Sequence, residues 1–221
     1  MNVGAIVLAG GRSARLGGVP KATLLFDGAT LLQRTLDAVQ DARRIVIVGT
    51  PPPGPLAPRY APASAPVRVT VTREEPPFAG PAAAIAAGLD VLLAPPAPES
   101  LDLVIVLACD MPNAAPAVAA LLAAVGGDHG SETDGVMAVD DDGSPQYLTA
   151  VYRTGALVEA VAAARRAGPL ENLSARRLFG PLRVRQVPVP PGSTHDVDTP
   201  SDASAFGITL PSPTTPSGTP R

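Results

Sequence analysis

Apolar residues along the chain alternate between two rhythms: short continuous runs, and stretches in which they recur every three or four positions. Val3 to Leu8 is a continuous run with the β-branched content of a strand buried on both faces. Ala22 to Phe26 is a short apolar stretch that closes on an Asp27-Gly28 turn. From there the spacing becomes helical, with Leu31, Leu32, Leu36 and Val39 on one face and Thr30 placed to cap. Arg44 to Val48 predicts a second buried strand ending at Gly49-Thr50. Strand, helix and strand within fifty residues imply a βαβ unit and therefore a parallel sheet.

The same rhythm continues downstream. Residues 51–66, rich in Pro and Ala, read as a surface loop, and Val67 to Thr72 alternates as a strand. A small-residue helix is predicted over about 81–93, and a Pro-rich break at 95–98 leads to Leu101 to Ala108, the clearest buried strand. A helix at 114–125 precedes a strand from Asp134 to Val139. The Asp140-Asp141-Asp142-Gly143 turn then feeds a partner strand from Gln146 to Tyr152. A helix at 155–167 stops at Gly168. A short helix, Leu173 to Phe179, is followed by a strand from Leu182 to Val187, and Thr199-Pro200 opens a final helix through Phe206. Residues 1–207 are thus expected to form one α/β domain, a three-layer, Rossmann-like arrangement with a mostly parallel sheet and a late antiparallel hairpin. The Pro, Ser and Thr content of 208–221 predicts a disordered tail.

Composition narrows the classes of function. A chain of 221 residues has room for one real core, and with aromatics at 3% that core must be built from Ala, Val and Leu. No apolar run approaches the length of a membrane span. The first strand begins too early to leave room for a signal peptide, so a cytoplasmic protein is expected. One cysteine, Cys109, excludes an internal disulfide framework and a Cys-based zinc site, and the two histidines, His129 and His195, do not make a metal cluster. Net charge of −3 argues against a nucleic-acid partner. Its distribution is more informative. The first fifty residues carry six Arg or Lys against three Asp, and residues 74–152 carry no Arg or Lys while Asp and Glu recur. A basic N-terminal loop facing an acidic middle fits an anionic ligand held together with a divalent cation.

Candidate chemistry is concentrated where the first strand ends. Leu8-Ala9-Gly10-Gly11-Arg12-Ser13 opens a loop that runs through Arg15, Gly17 and Gly18 to Lys21. Glycines let backbone N–H groups approach an anion closely, and Arg12, Arg15 and Lys21 supply full positive charge. The loop therefore reads as a polyphosphate cradle. It is neither a P-loop, since no glycine in it precedes Lys, nor a dinucleotide fingerprint, whose glycine spacing it lacks. Lys21 is the only lysine beside sixteen arginines, so a compact ammonium is used here alone. Asp110, just past the Leu101 to Ala108 run, is placed to hold Mg2+ through oxygen, a role compatible with capping the next helix. Cys109 reads as a small core residue and the 140–142 aspartates as a solvated turn.

Together these stretches resemble the nucleotidyltransferases with a glycosyltransferase-A-like fold, and among them the molybdenum cofactor guanylyltransferase group. The resemblance is carried by the Leu8 to Lys21 loop and by Gly80-Pro81-Ala82-Ala83-Ala84-Ile85 in place of a G-P-[LV]-A-[GA]-[IL] segment. It is carried also by Cys109-Asp110-Met111-Pro112 and by Asp196-Val197-Asp198-Thr199-Pro200-Ser201-Asp202. Gln146-Tyr147-Leu148 stands at a Q-P-L segment, with Tyr147 replacing the proline. The resemblance implies GTP-dependent guanylyl transfer to the phosphate of molybdopterin, with release of pyrophosphate. It assigns catalysis to Arg15, Lys21 and Asp110. It assigns nucleotide contacts to Leu8, Ala9, Gly10, Gly11, Arg12, Ser13, Lys21, Gly49, Arg73, Gly80 and Asp110. It also implies Mg2+ on Asp110 and on one of Asp196 and Asp198, with Asp198 preferred. The same fold serves cytidylyl and sugar-phosphate nucleotidyltransferases. A catalytically silent nucleotide-binding partner in cofactor biosynthesis is the alternative of a different class, and retention of both Lys21 and Asp110 argues against it.

Overall fold

The computed structural model describes residues 1–50, 68–95, 100–127 and 132–210. The expected 51–66 loop, most of the 95–98 break, His129 and the tail from 211 lie outside the described residues. At the centre of the fold is a seven-stranded sheet. In chain order the elements are β1 (Val3–Leu8), a two-residue pair β2 (Leu25–Phe26) and β3 (Ala29–Thr30), α1 (Leu31–Ala38), β4 (Arg44–Val48) and β5 (Arg68–Thr72). They continue with α2 (Pro81–Leu93), β6 (Leu103–Ala108), α3 (Ala114–Gly126), β7 (Gly135–Val139) and β8 (Pro145–Arg153). The chain then runs through α4 (Thr154–Ala167), α5 (Ala175–Phe179), β9 (Val184–Pro188) and α6 (Pro200–Ala205). Strand order is β5-β4-β1-β6-β8-β7-β9, with β2 and β3 forming a separate antiparallel pair. In the large sheet only β8 opposes the rest, pairing antiparallel with β6 on one side and β7 on the other.

The continuous apolar runs are explained by burial on both faces. Ala5, Val7, Ile45, Ile47, Ile105 and Leu107 meet α1 and α3 on one face. Their neighbours in sequence, Ile6, Leu8, Val46, Val48, Val104 and Val106, meet α2, α4 and α5 on the other. This is the expected three-layer α/β fold with its late hairpin. The Thr30 hydroxyl accepts from the Gln33 amide at 3.1 Å, as an N-cap should.

Element boundaries shift where local bonds intervene. The strand expected from Leu101 begins at Leu103, because Asp102 is engaged with the N-terminal Asn2: its carboxylate accepts from the Asn2 amide at 2.7 Å. The helix expected from Leu173 begins at Ala175, after Ser174 caps it by accepting from the Arg177 amide. The last strand begins at Val184 because Leu182 turns back to bond Phe179. Ile208, expected to open the tail, is 5% exposed and packs with Leu16, Leu24, Leu31 and Val197. Among the described residues no helix is long and apolar enough to cross a membrane.

Helix α2 lies close on the sheet, and Gly88 is what permits it. A Cβ there would sit 2.7 Å from Ile6 Cγ2 and 2.9 Å from Val48 Cγ2, both on stiff β-branched side chains. Gly88→Ala should therefore destabilise the fold by about 1–3 kcal/mol despite alanine's better helix propensity. Gly126→Ala, with nothing within 4 Å of the new methyl, should be neutral or slightly stabilising. Urea unfolding of the two variants checks the contrast.

Candidate active site

The loop after β1 leaves the sheet at the carboxyl ends of β1, β4 and β6, where open α/β sheets form their crevice. Ser13 has φ 44° and Gly11 φ 134°, and Gly17 and Gly18 are also left-handed, so the loop turns tightly upon itself. Its entry is fixed by the Ala9 amide, which donates to the Val48 carbonyl at 2.8 Å. Gly49 packs directly beneath it: a Cβ there would fall 2.6 Å from the Gly10 nitrogen.

The loop borders a cavity of about 670 Å³. Leu8, Gly10, Gly11, Arg12, Ser13, Arg15, Lys21, Gly80, Asp110 and Asp198 all line it, drawing on distant parts of the sequence. Ala9, Gly49 and Arg73 do not. Ala9 and Gly49 shape the loop from behind. Arg73 borders a separate surface groove with Glu75 and Arg165. The sequence reading missed Glu74, Phe78, Leu148 and Asn172, which also line the cavity. Glu74 is 7% exposed and accepts from the Phe78 amide at 3.0 Å.

At one end of the cavity three acids converge. Asp110, Asp196 and Asp198 each offer a carboxylate oxygen within 4.8 Å of the others. Their backbones are tied together by the Val197 amide, which donates to the Asp110 carbonyl at 3.0 Å. Asp198 is steadied further by a capping box on α6. Asp202 accepts from the Asp198 amide, from the Thr199 amide and from its hydroxyl, while the Asp202 amide donates back to Thr199 Oγ1. Those hydrogen bonds, Thr199's first, hold the Asp202 carboxyl below its ordinary range.

Lys21 enters this cluster from the loop. Its Nζ donates to Asp110 at 2.7 Å and also to Asp198. Burial pulls its pKa down, but the two carboxylates outweigh burial and leave it above the ordinary lysine value, so the ammonium stays charged. The loop motif predicts this ammonium among phosphate oxygens; in the structure its partners are Asp110 and Asp198. Arg15, largely exposed, reaches Asp198 at 3.5 Å. Arg12 lies over the Phe78 ring, 5.5 Å from its centre.

Three carboxylates with the half-buried Lys21 ammonium, and Arg15 reaching in from solvent, remain net negative. The strain is recorded on Asp196, whose pKa is raised by partial desolvation first and then by Asp110 and Asp198, against the pull of Lys21. Oxygen donors this close, and short of positive charge, fit a hard divalent cation. Cys109 beside them is buried, and burial together with Asp110 pushes its thiol up to about 12. A thiol held neutral is a core residue and not a nucleophile.

Asp110 also borders a second groove of about 370 Å³ on the far side of the cluster. Asp196, Gln146, Tyr147 and Arg176 line that groove and not the first. The cluster thus stands between two spaces, with Asp198 facing one and Asp196 the other.

Comparison with known proteins identifies the family. Residues 5–184 match the model of the MobA-like NTP transferase domain. The chain is 33% identical over 168 residues to the molybdenum cofactor guanylyltransferase of Burkholderia vietnamiensis, covering 74% of this chain and 76% of that protein. Its fold is similar to the crystal structure of molybdopterin-guanine dinucleotide biosynthesis protein A from Archaeoglobus fulgidus. The TM-score is 0.62 at 20% identity, over 92% of this chain and 96% of that one. It is similar also to 2-C-methyl-D-erythritol 4-phosphate cytidylyltransferase from Thermus thermophilus, with a TM-score of 0.60 at 22% identity over 91% and 95% of the two chains. The chain belongs to the MobA-like NTP transferase family and is a nucleotidyltransferase.

Proposed function

We propose that the chain transfers a guanylyl group from GTP to the phosphate of a molybdopterin-type acceptor and releases pyrophosphate, with Mg2+ as cofactor. The observation that carries this reading is the carboxylate cluster with Lys21, set between a glycine-loop cavity and a second groove. The 33% identity to a protein named for guanylyl transfer favours GTP over CTP.

The nucleotide enters the larger cavity with its phosphates on the loop. Gly10, Gly11 and Ser13 offer backbone N–H groups there, and Arg12 and Arg15 stand at the rim. The acceptor lies in the second groove, across Asp110 from the nucleotide. Its phosphate oxygen attacks the α-phosphorus, the bond from that phosphorus to the bridging oxygen breaks, and pyrophosphate leaves with the electron pair. Such a transfer needs little covalent help, so the protein contributes alignment and charge. Asp110 and Asp198, with Asp196 beside them, are the residues that would hold Mg2+. When bound, that ion supplies Lewis-acid neutralisation of the phosphate oxygens. Lys21 and Arg15 offset the charge that develops on the departing pyrophosphate, and Lys21 also keeps the carboxylates from repelling one another in its absence.

Asp110→Asn keeps the shape of the cluster but removes one charge. It should lower pyrophosphate release by about a hundredfold or more with GTP and a molybdopterin extract, while the melting temperature stays within a few degrees. Near-normal turnover would remove Asp110 from the reaction. Running the same assay with each NTP in turn should show GTP preferred, and a preference for CTP would move the chain to the cytidylyl reading.

Asp196 gives a pH prediction. Its folded pKa is above the unfolded one, so the folded state holds the proton more tightly, and ionisation at higher pH costs stability. Asp196→Asn should therefore melt above the parent protein in metal-free buffer at neutral pH. The gap should close as pH falls below the ordinary carboxylate range. Thermal melts between about pH 3 and 8, spanning that range, with a chelator present, check both the sign and the trend.

A further inference from the structure

Of the four phenylalanines, Phe78 alone has no aromatic neighbour among the described residues. Phe26 meets Phe206 edge-on at 5.7 Å, and Phe179 stacks on Tyr152 at 4.4 Å. Phe78 instead stands 48% exposed at the wall of the larger cavity. In a chain with only four phenylalanines, this one is spent on the cavity wall and not on the core. Its backbone is strained as well: φ is 63°, a left-handed value that bulky side chains rarely adopt.

Two supports hold it there. The buried Glu74 carboxylate accepts from the Phe78 amide at 3.0 Å. On the other side of the ring residue, the Ala79 carbonyl accepts from the Asn172 amide at 2.7 Å. The loop is therefore built to present the ring. The face it presents already carries a planar cation, the Arg12 guanidinium, 5.5 Å from the ring centre. Arg12 belongs to the phosphate loop, so the contact joins the two ends of the cavity.

We propose that Phe78 is the nucleobase platform of this cavity, with Arg12 covering the ring until a base stacks on it. The inference rests on the reading of the cavity as a nucleotide site and goes beyond it by naming the surface that receives the base. Stacking on one aromatic face tolerates every base but rewards the larger ring system, so purines gain more than pyrimidines. Arg12, once displaced, turns its guanidinium to the phosphates, where charge-assisted bonds are available.

The test separates base from phosphate. Calorimetric titration with GTP and with inorganic tripolyphosphate, both with Mg2+, compares the parent protein with Phe78→Ala. The expected result is a loss of GTP affinity of about five- to a hundredfold, with tripolyphosphate binding unchanged. The chain has no tryptophan, so Phe78→Trp adds a single reporter at the site. Its emission should be quenched by GTP more than by CTP, and should not be quenched in this way by tripolyphosphate. Unchanged GTP affinity in Phe78→Ala, or equal losses for GTP and tripolyphosphate, would overturn the platform. If the parent protein binds tripolyphosphate but no NTP, the nucleotide reading itself falls and takes the platform with it. Melting curves of both variants confirm that the fold is intact.

Discussion

Three carboxylates brought within 4.8 Å of one another are the constraint on which the rest of this site depends. Like charges at that distance repel, and only positive charge or protonation makes the arrangement tolerable. The protein supplies Lys21 from a loop almost ninety residues away from Asp110. It then fixes the geometry from the backbone, so that the acids cannot relax apart. The Val197 amide is bonded to the Asp110 carbonyl, and the capping box on α6 immobilises Asp198 and Thr199. An ammonium satisfies part of the demand; a divalent cation with phosphate oxygens would satisfy the remainder.

The sheet makes this possible by being plain. β1, β4 and β6 are parallel neighbours buried on both faces, and they end together, so the residues that follow them share one crevice. Small residues set the approach distances. Gly49 lets the end of β4 touch the backbone of the loop after β1, and Gly88 lets α2 settle onto Ile6 and Val48. A core made of Ala, Val, Leu and Ile leaves aromatics rare. Three of the four phenylalanines pair with other rings, and the fourth faces the cavity.

Much of this was legible in the sequence, for identifiable reasons. β1 lies where its apolar run predicts, because burial on both faces leaves no polar positions to blur it. Thr30 and Thr199 cap the helices they precede, since capping is local chemistry. The Leu8 to Lys21 loop, Asp110 and Asp198 converge because each follows a recognisable motif. What the sequence did not reveal depends on long-range side-chain direction. Arg73 and Glu74 are neighbours at the end of β5, yet Arg73 borders an outer groove while Glu74 is buried against the cavity. No spacing rule distinguishes them there, where the strand's alternation has ended. Lys21 is likewise identifiable as special by composition, but its partners lie 89 and 177 positions away. Phe78 follows two prolines in a segment without periodicity, and its strained φ leaves no mark in the sequence.

The Lys21 ammonium stands among carboxylates whose oxygens are close enough to hold a divalent cation. Electron paramagnetic resonance of Mn2+ binding at neutral pH, without nucleotide, tests this placement directly by comparing the parent protein with Lys21→Met. Removing the competing positive charge should tighten Mn2+ binding by about tenfold or more, since a charge in contact with two carboxylates is worth at least about 1.4 kcal/mol. Mn2+ binding that is unchanged or weaker in Lys21→Met would contradict the account.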